Sequence, residues 1–377
     1  MKKLIAIAVV FALVMGGVFA EFTVGGSVNG KVVLGKGKTN DDITTGWSGG
    51  LKATLTGKND DDNFGGGLTI EGDYGVTTPK VTSKVWWKPI NILKISINDG
   101  SPDIGNGNTG IYFSGAEFDG DLCKAGGLGA DGQGLKLEVI KPIPGLDFVL
   151  SFPFEKYNSK APKEVYQRFY AKVSYAIPSI GTVNAAFQST TFDNNDPAGI
   201  GLSFKLTAID NLALEFEANT KFPTELVNGD ITTAQLVAGL GVGYTVSDFN
   251  VKFSFAGKFL GKTVDPDSGA LKGKTPAEFA VGVMPSYTIG DLKVGLGFDM
   301  KIANLGMKEV DYGPVALQQI DSTVQWQASP QIQYTVGKGK LQTGVGLGNI
   351  KPTPGPVGAP TVNIIQWQIP VKLTYTF

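Results

Sequence analysis

The sequence predicts an all-β chain, closed into a transmembrane antiparallel up-and-down barrel of about 18 strands, with 16 as the alternative count. Three observations predict it. Apolar and polar residues alternate with period two nearly end to end. From residue 134 onward the connections alternate short and long. A Tyr ending also recurs just before short turns, and the chain stops on the alternating run Val371-Lys372-Leu373-Thr374-Tyr375-Thr376-Phe377.

Residues 1–20 are set aside as a cleaved targeting segment. Lys2 and Lys3 give a positive start, Leu4 to Val14 a short apolar run, and Val18-Phe19-Ala20 a small-residue cleavage site. The run is shorter than the roughly 20 apolar residues of a spanning helix. Residues 21–377 then form a single barrel domain. Removing Lys2 and Lys3 leaves 31 basic residues against 34 acidic ones, which argues against a nucleic-acid partner. No second stretch is long and apolar enough for a spanning helix. In a membrane, a closed barrel is then the way left to satisfy every backbone group. Gly is abundant, charge is sparse and aromatics are plentiful, a composition that suits strands.

The expected strands are 22–34, 47–57, 66–75, 79–88, 90–98, 134–141, 145–153, 165–177, 180–190, 199–208, 211–220, 233–246, 249–261, 276–289, 291–302, 322–336, 339–347 and 361–377. Short turns fall near 142–144, 178–179, 209–210, 247–248, 290–291 and 337–338, and longer connections between them. Outer-membrane barrels place short turns on the periplasmic side and long loops outside. Pro285 and Pro330 fall inside strands, where bulges are expected because proline cannot donate to a ladder. The 58–65 turn is long for a periplasmic one.

The two faces of the strands differ as lipid and water demand. At 249–261 one phase is Phe249, Val251, Phe253, Phe255, Gly257 and Phe259, and the other Asn250, Lys252, Ser254, Ala256 and Lys258. In ten of the strands the apolar phase carries no charge. A Lys on the lipid face at mid-depth costs about 2–4 kcal/mol, which accounts for the gap. The tyrosines Tyr175, Tyr244, Tyr287 and Tyr334, with Trp367, are expected as an aromatic girdle, ring in the apolar layer and polar tip in head-group water. A soluble sandwich also alternates, but nothing in it needs Tyr at a fixed height.

The chain's end resembles the final strand of bacterial outer-membrane β-barrels. Leu373, Tyr375 and Phe377 are thereby implied to be the signal that the barrel-assembly machinery reads, after export through the secretion translocon. Along most of its length the mature chain is similar to the general porins in architecture: leader, strands throughout, short-long alternation and terminal Phe377. That resemblance implies a water-filled outer-membrane channel for passive diffusion of ions and small hydrophilic solutes. The third external loop, 99–133, is the longest, and the resemblance implies that it enters the pore. Its Asp103, Glu117, Asp119 and Asp121 would then face basic wall residues. Candidates on the polar wall phase are Arg168, Lys172, Lys205, Lys252, Lys258, Lys293 and Lys301, with Asp299 among them. Arg168 is the only Arg, so any transverse field rests on Lys, and mixed signs imply weak ion selectivity.

Other readings are weaker. His is absent, which excludes His-dependent triads and most zinc sites, so an enzyme is not expected. Gly127-Leu128-Gly129-Ala130-Asp131-Gly132 spells a dinucleotide motif with no βαβ unit around it. Asp265-Pro266-Asp267-Ser268-Gly269 and the Asp60–Asp62 run read as turn chemistry rather than as metal sites. No cofactor or metal is expected, and Cys123 is a lone small residue. Trp87 shares its phase with Val81 and Val85 and is expected to meet lipid, while Trp86 shares its phase with Lys80, Lys84 and Lys88 and is expected to meet the lumen. A surface-exposed adhesin or ligand-binding barrel acting through its external loops is the alternative function. A homotrimer would need a flat apolar patch on one sector of the outer wall, and the sequence marks no such patch.

Overall fold

The computed structural model describes residues 21–36, 43–73, 79–98, 134–153, 169–189, 198–222, 224–225, 231–232, 235–259, 262–264, 271–274, 277–305, 323–349 and 365–377. The leader at 1–20, the 99–133 loop with Asp103, Glu117, Asp119 and Asp121, and Arg168 lie outside them.

Among the described residues the strands are β1 (Glu21–Lys36), β2 (Ile43–Lys58), β3 (Phe64–Asp73), β4 (Lys80–Ile90), β5 (Leu93–Ile97), β6 (Gly134–Ile140), β7 (Leu146–Pro153) and β8 (Tyr170–Ile177). They continue with β9 (Gly181–Gln188), β10 (Gly199–Leu206), β11 (Leu212–Lys221), β12 (Thr224–Glu225), β13 (Ile231–Thr232), β14 (Gln235–Val246), β15 (Phe249–Phe259), β16 (Lys262–Val264) and β17 (Leu271–Lys274). The last are β18 (Ala277–Ile289), β19 (Leu292–Leu305), β20 (Thr323–Val336), β21 (Gly339–Gly344), β22 (Gly346–Asn349) and β23 (Gln366–Thr376).

Each barrel strand pairs antiparallel with the next, and β23 pairs back onto β1, from Ser27↔Thr376 to Gly35↔Gln368. The sheet therefore has no free edge. β21 and β22 are two halves of one stave, because both lie between β20 and β23. Counted so, the barrel has 18 staves, and the 16-strand alternative is excluded. β12, β13, β16 and β17 form a separate small sheet that joins the β11–β14 and β15–β18 connections beyond the rim.

The prolines are accommodated differently from the sequence expectation. At Pro285 and Pro330 the register is unchanged on both sides, so neither sits in a bulge. The β18–β19 ladder merely skips Met284 and Pro285 and resumes in the same register. Pro330 faces Val345, whose N–H donates to the Pro330 carbonyl at 3.0 Å, while Pro330 has no N–H to return. On the other side of that stave stands Pro370, the next proline without a donor. The stave breaks into β21 and β22 at Val345, between the two. A register shift does occur beside a proline, at Lys88-Pro89 near the end of β4.

The repeated Tyr ending has a structural basis. The residue after each Tyr donates its backbone N–H to a carbonyl in the neighbouring short turn. The bonds are Ala176 to Gly145 at 2.8 Å, Thr245 to Asn211 at 2.9 Å, Thr288 to Asp248 at 2.9 Å, and Thr335 to Asp291 and Thr376 to Lys338 at 3.0 Å. Each turn is thus tied to the next strand, which fixes the Tyr at one level above it. Tyr175, Tyr244, Tyr287, Tyr334 and Tyr375 all point outward, 43–53% exposed. Trp367 lies on the same phase as Tyr375, eight residues away and toward the other end of β23. Trp326 and Tyr334 on β20, and Phe279 and Tyr287 on β18, repeat that spacing of eight. At about 3.4 Å per residue this is about 27 Å along a strand. A tilt of roughly 35–45° brings it to about 20 Å in height, close to the roughly 25 Å apolar band of such barrels. No helix among the described residues is long and apolar enough to cross a membrane.

The seam between the first and last strands is closed by the chain terminus. Phe377 N–H donates to the Gly26 carbonyl at 3.0 Å, and Gly26 N–H donates to Phe377 at 3.2 Å. The Phe377 ring lies over Gly26, where a Cβ would come within 2.5 Å of its Cζ and would also strike the Lys52 carbonyl. Deleting Phe377, or Gly26→Val, is expected to reduce assembly of the heat-modifiable barrel in cells, read as the unheated band on a denaturing gel. Wild-type yield from Gly26→Val would show that the ring need not lie there.

Candidate functional site

The polar phase of the strands faces the lumen, and its two halves differ. On the β15–β20 side the wall is closed to water at mid-height: Ser254, Met284, Asp299, Gln327, Ser329 and Gln331 are all buried. On the β2–β4 side Lys52, Glu71, Asp73, Lys80 and Lys84 are exposed.

The sequence candidates divide between these sectors. Asp299 is on the lumen phase but is 0% exposed and accepts a hydrogen bond from Gln327 Nε2 at 3.1 Å, so its carboxylate does not reach the lumen surface. Lys258 and Lys301 share the carboxylate of Glu278, at 3.7 and 3.4 Å. Lys172 is half-buried between Val149 and Ala186, and Lys293 is half-buried beside Gln333. Lys252 and Lys205 are exposed. The structure thus spreads these residues around the wall and does not gather them into one site. Leu373, Tyr375 and Phe377, which the sequence marked as a candidate assembly signal, lie on the outward phase and are exposed.

The basic sector that sequence reasoning left out of its wall candidates lies on β1–β6. Cross-strand register puts Lys31, Lys52, Lys58, Lys80, Lys84, Lys88, Lys94 and Lys136 on the lumen phase there, against Glu71, Asp73 and Glu138. The polar phases of 47–57 and 79–88 carried that signal, but it needed the pairing of neighbouring strands to become a patch.

At the short-turn end of this sector stands Trp86. It is half-buried on the lumen phase, while Trp87 is 51% exposed on the outward phase, as the alternation requires. Lys88 Nζ lies 5.0 Å and Lys94 Nζ 5.8 Å from the Trp86 ring centroid, a cation–π arrangement. Lys88 donates to Asp62 Oδ2 at 2.6 Å, and Lys58 lies 3.8 Å from Asp62. Lys94 and Lys136 lie 3.0 and 3.6 Å from Glu138 Oε2. Asn59 Oδ1 accepts from the N–H groups of Asn63 and Phe64, which organises the Asp60–Asp62 run as a hairpin turn. No group of residues able to hold a metal ion occurs among the described residues.

No protein-family model matches the sequence, and no curated protein matches it. The fold is shared with solved bacterial outer-membrane proteins. OccK11 (OpdR) of Pseudomonas aeruginosa matches with a TM-score of 0.57 at 10% identity, covering 94% of this chain and 96% of that one. An anion-selective porin from Comamonas acidovorans matches with a TM-score of 0.55 at 12% identity, over 95% of this chain and 99% of that one. OmpT of Vibrio cholerae, in a trimer form, matches with a TM-score of 0.51 at 13% identity, over 95% and 99%. The chain is therefore a porin-like β-barrel, a statement about its fold.

The turn carboxyl of Asp62 is held below its ordinary value, chiefly by the hydrogen bond from Lys88, with the charges of Lys88, Lys58 and Lys94 adding to it. Because the folded value is depressed, the pairing contributes fully above the ordinary Asp range near about 3.9, and is lost as pH falls through Asp62's lower folded value. In Lys88→Met, Asp62 is expected to titrate nearer the ordinary value in a carbon-13 carboxyl NMR titration of the micelle-bound protein. An unchanged titration would mean that Lys88 does not hold it.

Proposed function

We propose that this chain is an outer-membrane porin, a water-filled channel for passive diffusion of ions and small hydrophilic solutes. The observation that carries the reading is a lysine-rich wall open to water inside a closed barrel of 18 staves. About 8 strands leave an interior that side chains fill, whereas 16–18 leave an aqueous channel. The rest of the lumen phase is rich in Gly, Gln, Ser and Thr, which hydrogen-bond water. With lysines outnumbering carboxylates on β1–β6, the channel favours anions. This goes beyond the weak selectivity read from the sequence, and the Comamonas acidovorans neighbour is described as anion-selective. Outer-membrane insertion follows from the same reading, with the short turns on the periplasmic side.

Assembly as a homotrimer belongs to the proposal. Its support is the trimer form of the Vibrio cholerae neighbour and an outer-wall recess of 590 Å³ at the seam, lined by Val28, Tyr334, Val336, Leu341, Leu373 and Tyr375. A single-copy mass in a mild-detergent extract of the membrane would remove it.

The experiment is current recording from the refolded protein in a planar bilayer. Discrete, stable steps are expected, with reversal potentials in a salt gradient on the anion side. Lys252→Glu with Lys293→Glu is expected to move the reversal potential toward cations, and shortening 99–133 to enlarge the steps. A heat-modifiable barrel that never conducts would overturn the reading and turn attention to the external loops.

A further inference from the structure

This inference rests on the outer-membrane reading, with the short turns on the periplasmic side. We propose that the four turns from β4–β5 to β10–β11 form a ledge seated in lipid, their isoleucines in the periplasmic leaflet, while the turns on the other side of the barrel stand in water.

The turns differ first. Ile92, Ile143, Ile180 and Ile209 occupy four successive short turns and are 45–61% exposed. Each stands past the last paired residues of its own hairpin. The other short turns among the described residues carry Asp60–Asp62, Ser247-Asp248, Gly290-Asp291 and Gly337-Lys338. A fifth isoleucine joins the arc through the register shift at Lys88-Pro89. The shift sets Ile90 opposite Leu93, and Leu93 continues the outward row through Val139, Phe148 and Val173. Ile90 therefore faces outward, and it is exposed. One exposed isoleucine would need no explanation, because scattered apolar residues are ordinary on a surface. Here four successive turns carry one, and the arc is continuous with the lipid-facing wall. Its backbone is also tied down: Ile140 N–H donates to the Ile92 carbonyl, and Thr207 N–H to the Ile180 carbonyl, both at 2.8 Å.

The wall above the arc says what covers it. Among the described residues β5 to β10 are 5–8 residues long. The staves that flank polar turns are longer: 16 and 10 residues for β2 and β3, 12 and 11 for β14 and β15, 13 and 14 for β18 and β19. A tilted strand needs roughly 9–11 residues to span the apolar layer. The aromatic spacing agrees. Phe169 shares the outward phase of Tyr175, and its ring centroid lies 5.4 Å from that of Phe187. Phe169 and Tyr175 are six residues apart, against eight for the matching pairs on β18, β20 and β23. At about 3.4 Å per residue and a tilt of roughly 35–45°, the missing two residues amount to about 5 Å of height. Beneath this short wall the apolar strip runs on past Tyr175, through Ile177 and into the turn at Ile180. A membrane meets a short apolar wall by thinning or by taking in the residues that flank it. The flanking residues here are isoleucines, so the leaflet covers them. Where the staves are long enough by themselves, the turns are polar.

The test places a bimane label on single cysteines in a Cys123→Ser background, since Cys123 is the only cysteine. The full barrel is refolded into phospholipid vesicles, with bromine-substituted acyl chains as one quencher and iodide on both faces as the other. Ile143→Cys and Ile180→Cys probe the ledge, and Asp248→Cys and Lys338→Cys the polar turns. Leu296→Cys, at an exposed position on the outward wall, is the lipid control. The two ledge labels are expected to be quenched by the brominated lipid, and several-fold less by iodide than the two polar-turn labels. If a ledge variant does not fold, Ile209→Cys takes its place. Equal iodide quenching at all four turns overturns the ledge and leaves the outer-membrane reading intact. Ledge labels shielded from both quenchers overturn it in favour of a contact with a second copy. If the Leu296→Cys label also escapes the brominated lipid, the outer-membrane reading itself falls.

Discussion

Everything in this molecule follows from the cost of an unpaired backbone group in hydrocarbon. A sheet placed in a membrane cannot keep an edge, because each free N–H or C=O there costs several kcal/mol. The first and last strands must therefore meet, and here they meet through Phe377 and Gly26. The Phe377 carbonyl and N–H extend the ladder, and the ring lies over Gly26, where a side chain would obstruct it. Closure fixes the stagger of all the staves, and the stagger decides which side chains become neighbours across the wall.

The same constraint explains how the barrel tolerates proline. A closed barrel offers no edge strand on which a missing donor is harmless. The chain instead aligns its defects: Pro330 and Pro370 flank one stave, and that stave is interrupted between them at Val345. Neighbouring defects share one gap, so most of the ladder keeps its bonds. The Val345 N–H still finds the Pro330 carbonyl, and the Thr343 hydroxyl donates to the Pro370 carbonyl at 2.8 Å.

Inside, the wall is divided by burial as well as by charge. Small and amide side chains on β15–β20 are closed to water and hydrogen-bonded among themselves, as Gln327 is to Asp299 and Gln331 to Ser329. The β1–β6 wall is basic, and its β2–β4 part is exposed at Lys52, Lys80 and Lys84. On the porin reading, the charge that a solute meets is concentrated on the β1–β6 sector. The field there comes from lysine, a compact and strongly hydrated charge on a flexible stem.

The sequence by itself determined the strand phases, the short turns, the Tyr level and the opposite facing of Trp86 and Trp87. These are local properties: a period of two sends Trp86 and Trp87 to opposite faces whatever the rest of the chain does. It also placed the short-turn ends of the staves to within a few residues, since turn residues such as Ser247-Asp248 and Gly290-Asp291 act over short range. Only the tertiary structure decided that Pro285 and Pro330 keep their register, that Asp299 is buried, that Lys58, Lys84 and Lys94 stand beside Trp86, and that Lys94 and Lys136 share Glu138. Those residues lie on β2, β4, β5 and β6, and their meeting depends on the relative shift of four strands. That shift is set by closure of the whole sheet, and no single segment of sequence encodes it.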